Sequence, residues 1–111
     1  MSVQQQITDS CLVARATSKT IDASNAGQFR SAMTPLIEQH PRIIIDLGEV
    51  EFIDSAGIGT LIGCLRAAGE RQGQLRLCNL NRPVQALFEL MRMHRIFEVH
   101  GNLSAAQASL A

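Results

Sequence analysis

The run Arg42-Ile43-Ile44-Ile45-Asp46-Leu47 constrains this chain more than any other segment. Three consecutive β-branched isoleucines favour extended backbone. Successive strand side chains point to opposite faces, so an unbroken apolar run leaves neither face for water. Such a strand belongs in the middle of a sheet covered by helices. Gly48-Glu49 then allows a turn, and Val50-Glu51-Phe52-Ile53 leads into a corner at Asp54-Ser55-Ala56-Gly57.

The rest of the chain supplies elements to pair with and cover that strand. Val3 to Ala16 alternates weakly and reads as one or two short strands, with Thr8-Asp9-Ser10 as the turn. A third short strand is expected around Lys19 to Asp22. Asp22-Ala23-Ser24-Asn25 is a helix-start signal, because these side chains can accept hydrogen bonds from free backbone N–H groups. Phe29, Met33, Leu36, Ile37 and His40 follow at helical spacing. Pro35 lies among them, so either the helix kinks there or one turn ends and another begins.

Ile58, Leu61, Ile62, Leu65 and Ala68 form the clearest helical stripe. Gln74 to Cys78 alternates and reads as a strand. Asn81 is positioned to cap a helix with Pro83 in its first turn and an apolar face of Val84, Leu87, Phe88 and Met91. Ile96 to Val99 reads as a last short strand and Ser104 to Leu110 as a terminal helix. Strands alternating with helices predict an α/β fold: one domain over residues 1–111, a mixed sheet of four to six strands, and about four helices mainly on one side.

Composition removes several functions. Ten basic and ten acidic residues give a net charge of zero, so no positive field steers nucleic acid to the surface. Four phenylalanines, with no Trp or Tyr, make a poor base-stacking platform. The three cysteines form no C-x-x-C pair and no secretory signal precedes them, which predicts reduced thiols, buried or half-buried, in a cytoplasmic protein. No apolar run approaches the ~20 residues that span a bilayer, so direct membrane insertion is not expected. No Cys/His spacing suits zinc, and nothing in the sequence calls for a metal or another cofactor.

The corner at Asp54-Ser55-Ala56-Gly57-Ile58-Gly59 is the candidate site. A strand ends and a helix begins there, so unpaired N–H groups and the positive end of the helix dipole meet. A phosphate on Ser55 would find those groups, and would add about 1.5 to 2 negative charges beside Asp54. The plain alternative is that Asp54 and Ser55 only cap the helix. Enzyme readings are weaker. A G-x-S-x-G nucleophile elbow needs glycine where Ile53 stands. In a dinucleotide fingerprint begun by Gly57 and Gly59, the third glycine falls one place late, at Gly63, with Ile62 at the required position. His40, His94 and His100 are far apart. Arg82, Arg92 and Arg95 read as a solvated face, and the Met91 and Met93 pair as core filling.

The segment Ile43 through Leu61, with its hydrophobic strand, its Asp-Ser-x-Gly corner and the helix after it, closely resembles the central block of STAS domains. It is most similar to stand-alone bacterial anti-sigma factor antagonists. The likeness continues through Ile21-Asp22, Leu75 to Cys78, Val84, Leu87-Phe88 and Ile96-Phe97. The resemblance implies a binding protein and not an enzyme. It implies that Ser55 is phosphorylated by an anti-sigma factor that is also a serine kinase of the GHKL type. The unphosphorylated form would bind that kinase, and a PP2C-type phosphatase would reset the switch. The implied docking surface comprises Asp22, Ser24, Asn25, Asp54, Ser55, Ala56, Gly57, Gly59, Thr60 and Gly63. The small residues would keep it bare enough for a partner's backbone. Two positions depart from the family. Ala56 replaces a frequent second hydroxyl residue and leaves Ser55 as the only acceptor at the corner. Lys19 or Thr20 stands where glycine usually precedes Ile21-Asp22. The same fold also serves as a subunit or scaffold of transport and signalling complexes, which is the alternative reading.

Overall fold

Seven strands and four helices are present in the computed structural model, which describes residues 3–8 and 11–110. The strands are β1 (Val3–Ile7), β2 (Leu12–Ala16), β3 (Thr20–Ile21), β4 (Arg42–Asp46), β5 (Phe52–Ile53), β6 (Gln74–Cys78) and β7 (Val99–His100). The helices are α1 (Ala26–Gln39), α2 (Ser55–Glu70), α3 (Arg82–Leu90) and α4 (Leu103–Ser109). Asp9 and Ser10 of the expected first turn lie outside the described residues.

The isoleucine strand sits at the centre of a five-stranded sheet ordered β1-β2-β4-β6-β7. β1 runs antiparallel to β2, and the other pairs are parallel, so the sheet is mixed. Ile43, Ile44 and Ile45 are each 0% exposed. Ile43 and Ile45 join one cluster with Phe29 and Met33 of α1, Leu61 of α2 and Phe88 of α3. Ile44 points the other way and joins Val13, Cys78 and Ala106 beneath α4. Three helices therefore cover one face, and the short α4 covers the other. Arg76, opposite Ile44 on β6, holds α4 through Ser109 Oγ at 3.1 Å and pairs with Glu98 at 2.9 Å.

Local sequence signals were overridden at several points. Pro35 lies inside α1, which runs through it without a break. An interior proline costs about 3 kcal/mol. Burial of Phe29, Met33, Leu36 and Ile37, each worth about 1.5–3 kcal/mol, outweighs that cost. His40 is the C-cap of α1 in extended backbone, so it is not part of the helical face. Asn25 and Asn81 occupy N-cap positions, yet neither side chain caps its helix. Asn81 Nδ2 donates instead to the carbonyls of Gly48 and Val50, both at 2.9 Å, and pins the turn after β4.

The stripe of α2 is rotated from its expected centre. Gly57, Ile58, Leu61, Cys64 and Ala68 are buried, while Ile62 and Leu65 lie at the rim. Near the end of the chain the last strand is shorter than Ile96 to Val99. A 3₁₀ turn at Met93–Arg95 drives Met93 and Phe97 into the core and leaves Ile96 on the surface. Met91 is likewise exposed, because α3 ends at Leu90 and Arg92 turns left-handed (φ 56°). Of the expected methionine pair, only Met93 fills the core.

Among the described residues, no helix is long and apolar enough to cross a membrane. The three cysteines are buried free thiols. Burial pushes the Cys64 thiol up to about 11 and the Cys78 thiol up to about 12. At pH 8 the folded protein should therefore react with a disulfide reagent at neither residue on the minute timescale. Both should react at once in strong denaturant, as absorbance of the released thiol will report.

Candidate functional site

The corner is assembled by a second, two-stranded parallel sheet: β3 is the short strand expected around Lys19 to Asp22, and its pairing with β5 is what the sequence did not announce. β3 and β5 pair with Thr20 opposite Phe52 and Ile21 opposite Ile53. That register carries the two chain segments forward side by side, so Asp22 and Asp54 emerge next to each other. Asp54 N–H donates to the Ile21 carbonyl at 3.3 Å. Neither Lys19 nor Thr20 has a positive φ, so the missing family glycine leaves no strained residue behind.

Gly57 is what lets the two segments close. A Cβ there would stand 2.2 Å from the Ile21 carbonyl oxygen and 2.6 Å from Ile53 Cγ2. Gly57 is buried, so its place on the expected docking surface is corrected: it faces inward and packs the corner. Gly59 has open space around it and is exposed. Gly63 is half-buried, and the Arg30 guanidinium lies 3.7 Å from where its Cβ would be.

Asp54, not Ser55, caps α2. One oxygen of its carboxylate accepts from Gly57 N–H at 2.9 Å, and the other accepts from Ala23 N–H at 3.1 Å. Ser55 is the first residue of the helix. It is exposed, and its hydroxyl has no hydrogen-bond partner among the described residues. Capping and hydroxyl chemistry are thus divided between neighbours. Ala56 and Thr60 are half-buried.

The loop beside the serine is braced from within. Asp22 accepts from Ser24 N–H at 2.9 Å and from the Ser24 hydroxyl. Asn25 Oδ1 accepts from Asp22 N–H at 2.9 Å, and Asn25 Nδ2 donates to the Thr20 carbonyl at 2.8 Å. The Ser24 hydroxyl, followed by the Ser24 amide, holds the Asp22 carboxyl below its ordinary value of 3.8. Asp22, Ser24, Asn25, Asp54 and Ser55 therefore share one end of the domain.

Down α2 from Ser55, a groove of about 280 Å³ runs between α1 and α2. It is lined by Arg30 of α1 and by Gly59, Ile62, Gly63, Arg66, Ala67 and Glu70 of α2. Arg30 and Arg66, which line that groove, and the Ala23 amide, which binds Asp54, are residues the sequence did not single out. Arg30 meets Gly63 only through the packing of α1 on α2, and a backbone amide carries no residue signature. Among the described residues no group of three His, Cys, Asp or Glu side chains could hold a metal ion.

An α/β sheet with a braced loop beside an exposed, uncommitted serine defines a small protein built to present a surface. The chain belongs to the STAS domain family, whose model matches residues 2–106. It is 30% identical over 79 residues to the anti-sigma-B factor antagonist of Bacillus subtilis, a match covering 71% of this chain and 72% of that one. An anti-sigma factor antagonist from Mycobacterium paratuberculosis has the same fold, with a TM-score of 0.87 over 98% of this chain and 92% of that one at 20% identity. The anti-sigma factor antagonist SpoIIAA in its unphosphorylated form superposes with a TM-score of 0.75 over 96% and 95%, at 21% identity.

Gly57→Ala should cost about 1–3 kcal/mol by overpacking against the Ile21 carbonyl, whereas Gly59→Ala should gain about 0.5–1 kcal/mol of helix propensity; urea midpoints will separate them. The Asp22 carboxyl, followed by carbon-13 chemical shift, should titrate below 3.8, and Ser24→Ala should raise that midpoint. Because the folded value is lowered, Asp22 supports the fold above pH 3.8. That support is lost as pH falls through the folded value.

Proposed function

We propose that this protein is an anti-sigma factor antagonist that works by partner switching, with Ser55 as its phosphorylation site. The observation that carries the reading is the exposed Ser55 hydroxyl, without a hydrogen-bond partner among the described residues, next to Asp54, which has taken the capping role. The resemblance to the Bacillus subtilis anti-sigma-B factor antagonist supports the same function.

The partner is an anti-sigma factor that is also a serine kinase of the GHKL type, acting in the cytoplasm. It docks on Asp22, Ser24, Asn25, Asp54, Ser55, Ala56, Gly59, Thr60 and Gly63, within one domain spanning residues 1–111. The protein is a substrate, not an enzyme. In the transfer, the Ser55 oxygen forms a bond to the terminal phosphorus of a nucleoside triphosphate. The bond from that phosphorus to its bridging oxygen breaks, the nucleoside diphosphate leaves, and the hydroxyl proton passes to a base of the kinase.

The added phosphate brings about 1.5 to 2 negative charges to a contact built from small side chains, which weakens docking. A PP2C-type phosphatase hydrolyses the ester and restores the hydroxyl. No cofactor resides in the protein during this cycle.

With the kinase and labelled nucleoside triphosphate, the unmodified protein should take up one phosphate and Ser55→Ala none. Ser55→Ala should bind the kinase as tightly as the unmodified protein, while Ser55→Glu should bind at least about tenfold more weakly, a loss of about 1.4 kcal/mol, by calorimetry. Continued labelling of Ser55→Ala would remove the assignment.

A further inference from the structure

We infer that Asp54 is a positioning residue that transmits phosphorylation of Ser55 to the Asp22–Asn25 loop, an inference that rests on Ser55 being the modified residue. The Asp54 carboxylate holds two amides from different segments: Gly57 N–H in the first turn of α2, at 2.9 Å, and Ala23 N–H in the loop after β3, at 3.1 Å. It is therefore both the cap of α2 and a hydrogen-bonded tie between the loop and that helix.

A phosphate on Ser55 competes for that arrangement. Ser55 is the first residue of α2 and Gly57 the third, so a phosphate on the serine side chain is within reach of the Gly57 N–H. The phosphate carries more charge than a carboxylate and has three acceptor oxygens. One N–H does not serve two anions equally, and the two like charges on adjacent residues repel. The phosphate takes the Gly57 N–H, the Asp54 carboxylate turns away, and Ala23 N–H loses its acceptor.

The loop keeps its shape when released. Its internal bonds, Asp22 to Ser24 and Asn25 to Asp22 N–H and the Thr20 carbonyl, do not involve Asp54. What changes is its placement relative to α2. Ala23 and Ser24 are exposed, so a partner that grips both loop and helix meets two surfaces out of register. Phosphorylation is thus felt at Ala23 as well as at the ester itself.

The test places phosphoserine at position 55 by genetic encoding and follows backbone amides by nitrogen-15 NMR. Amide exchange at Ala23 should rise about tenfold, the loss of one hydrogen bond, while Gly57 N–H stays protected by its new acceptor. Asp54→Asn gives the second arm. Its carboxamide oxygen keeps the Gly57 bond, but its NH2 group cannot accept from Ala23. Unphosphorylated Asp54→Asn should therefore show the same rise at Ala23, and phosphoserine should add nothing more. Unchanged exchange at Ala23 in the phosphorylated chain would overturn the inference. So would an equal further rise when Asp54→Asn carries phosphoserine, since the two effects would then be independent. Encoding the phosphoserine removes the kinase from the experiment. Failure of the parent reading would show separately, as kinase labelling that persists in Ser55→Ala.

Discussion

Burial of β4 on both faces is the constraint from which the rest of the structure follows. Ile43 and Ile45 need a layer of helices on one side, and Ile44 needs another on the other. Because β4 pairs in parallel with β2 and β6, each connection has to cross back over the sheet. Those crossings are α1 and α2, and they bring the start of α2 to the carboxyl-terminal end of the strands. The site lies there because the topology leaves helix starts and loops at that end. The apolar stripes of α1 and α2 are buried against the sheet, and the groove lined by Arg30, Gly59 and Gly63 stays open between the two helices.

At the corner itself, two small features do most of the positioning. Gly57 lets the Ile21 carbonyl approach closer than any side chain would allow. Asp54 then links the two segments through its carboxylate. An N-cap of this kind is worth about 1 kcal/mol, small beside the core but enough to decide which residue does the capping. Ser55 is freed as a result. A serine in the cap position would have spent its hydroxyl on a backbone amide.

Elements governed by local periodicity were legible in the sequence. The buried strand at Ile43 to Ile45, the helix after Ser55 and the alternating Gln74 to Cys78 all stand where their patterns put them. The family resemblance carried the reading of the corner further than spacing alone could. What was not legible depends on long-range pairing. β3 was expected as a short strand, but nothing local to two residues a strand marks its pairing with β5. Asn25 and Asn81 look like caps locally, but tertiary neighbours offered their side chains better partners. Gly57 and Gly59 are indistinguishable by residue type. One is forced by a carbonyl oxygen from thirty-six residues earlier and the other meets nothing within 4 Å. Ile96 read as strand because it begins the run Ile96-Phe97-Glu98-Val99, while the 3₁₀ turn before it decided which of those side chains would be buried.

The central claim is that a single phosphate on Ser55 decides which protein this domain holds. Affinity capture from a lysate of the native cell, with the unmodified chain and the chain carrying encoded phosphoserine at position 55, tests it most directly. Quantitative mass spectrometry should find an ATP-binding kinase of the GHKL type enriched on the unmodified chain and lost from the phosphorylated one. Recovery of the same partners in equal amounts on both forms would contradict it.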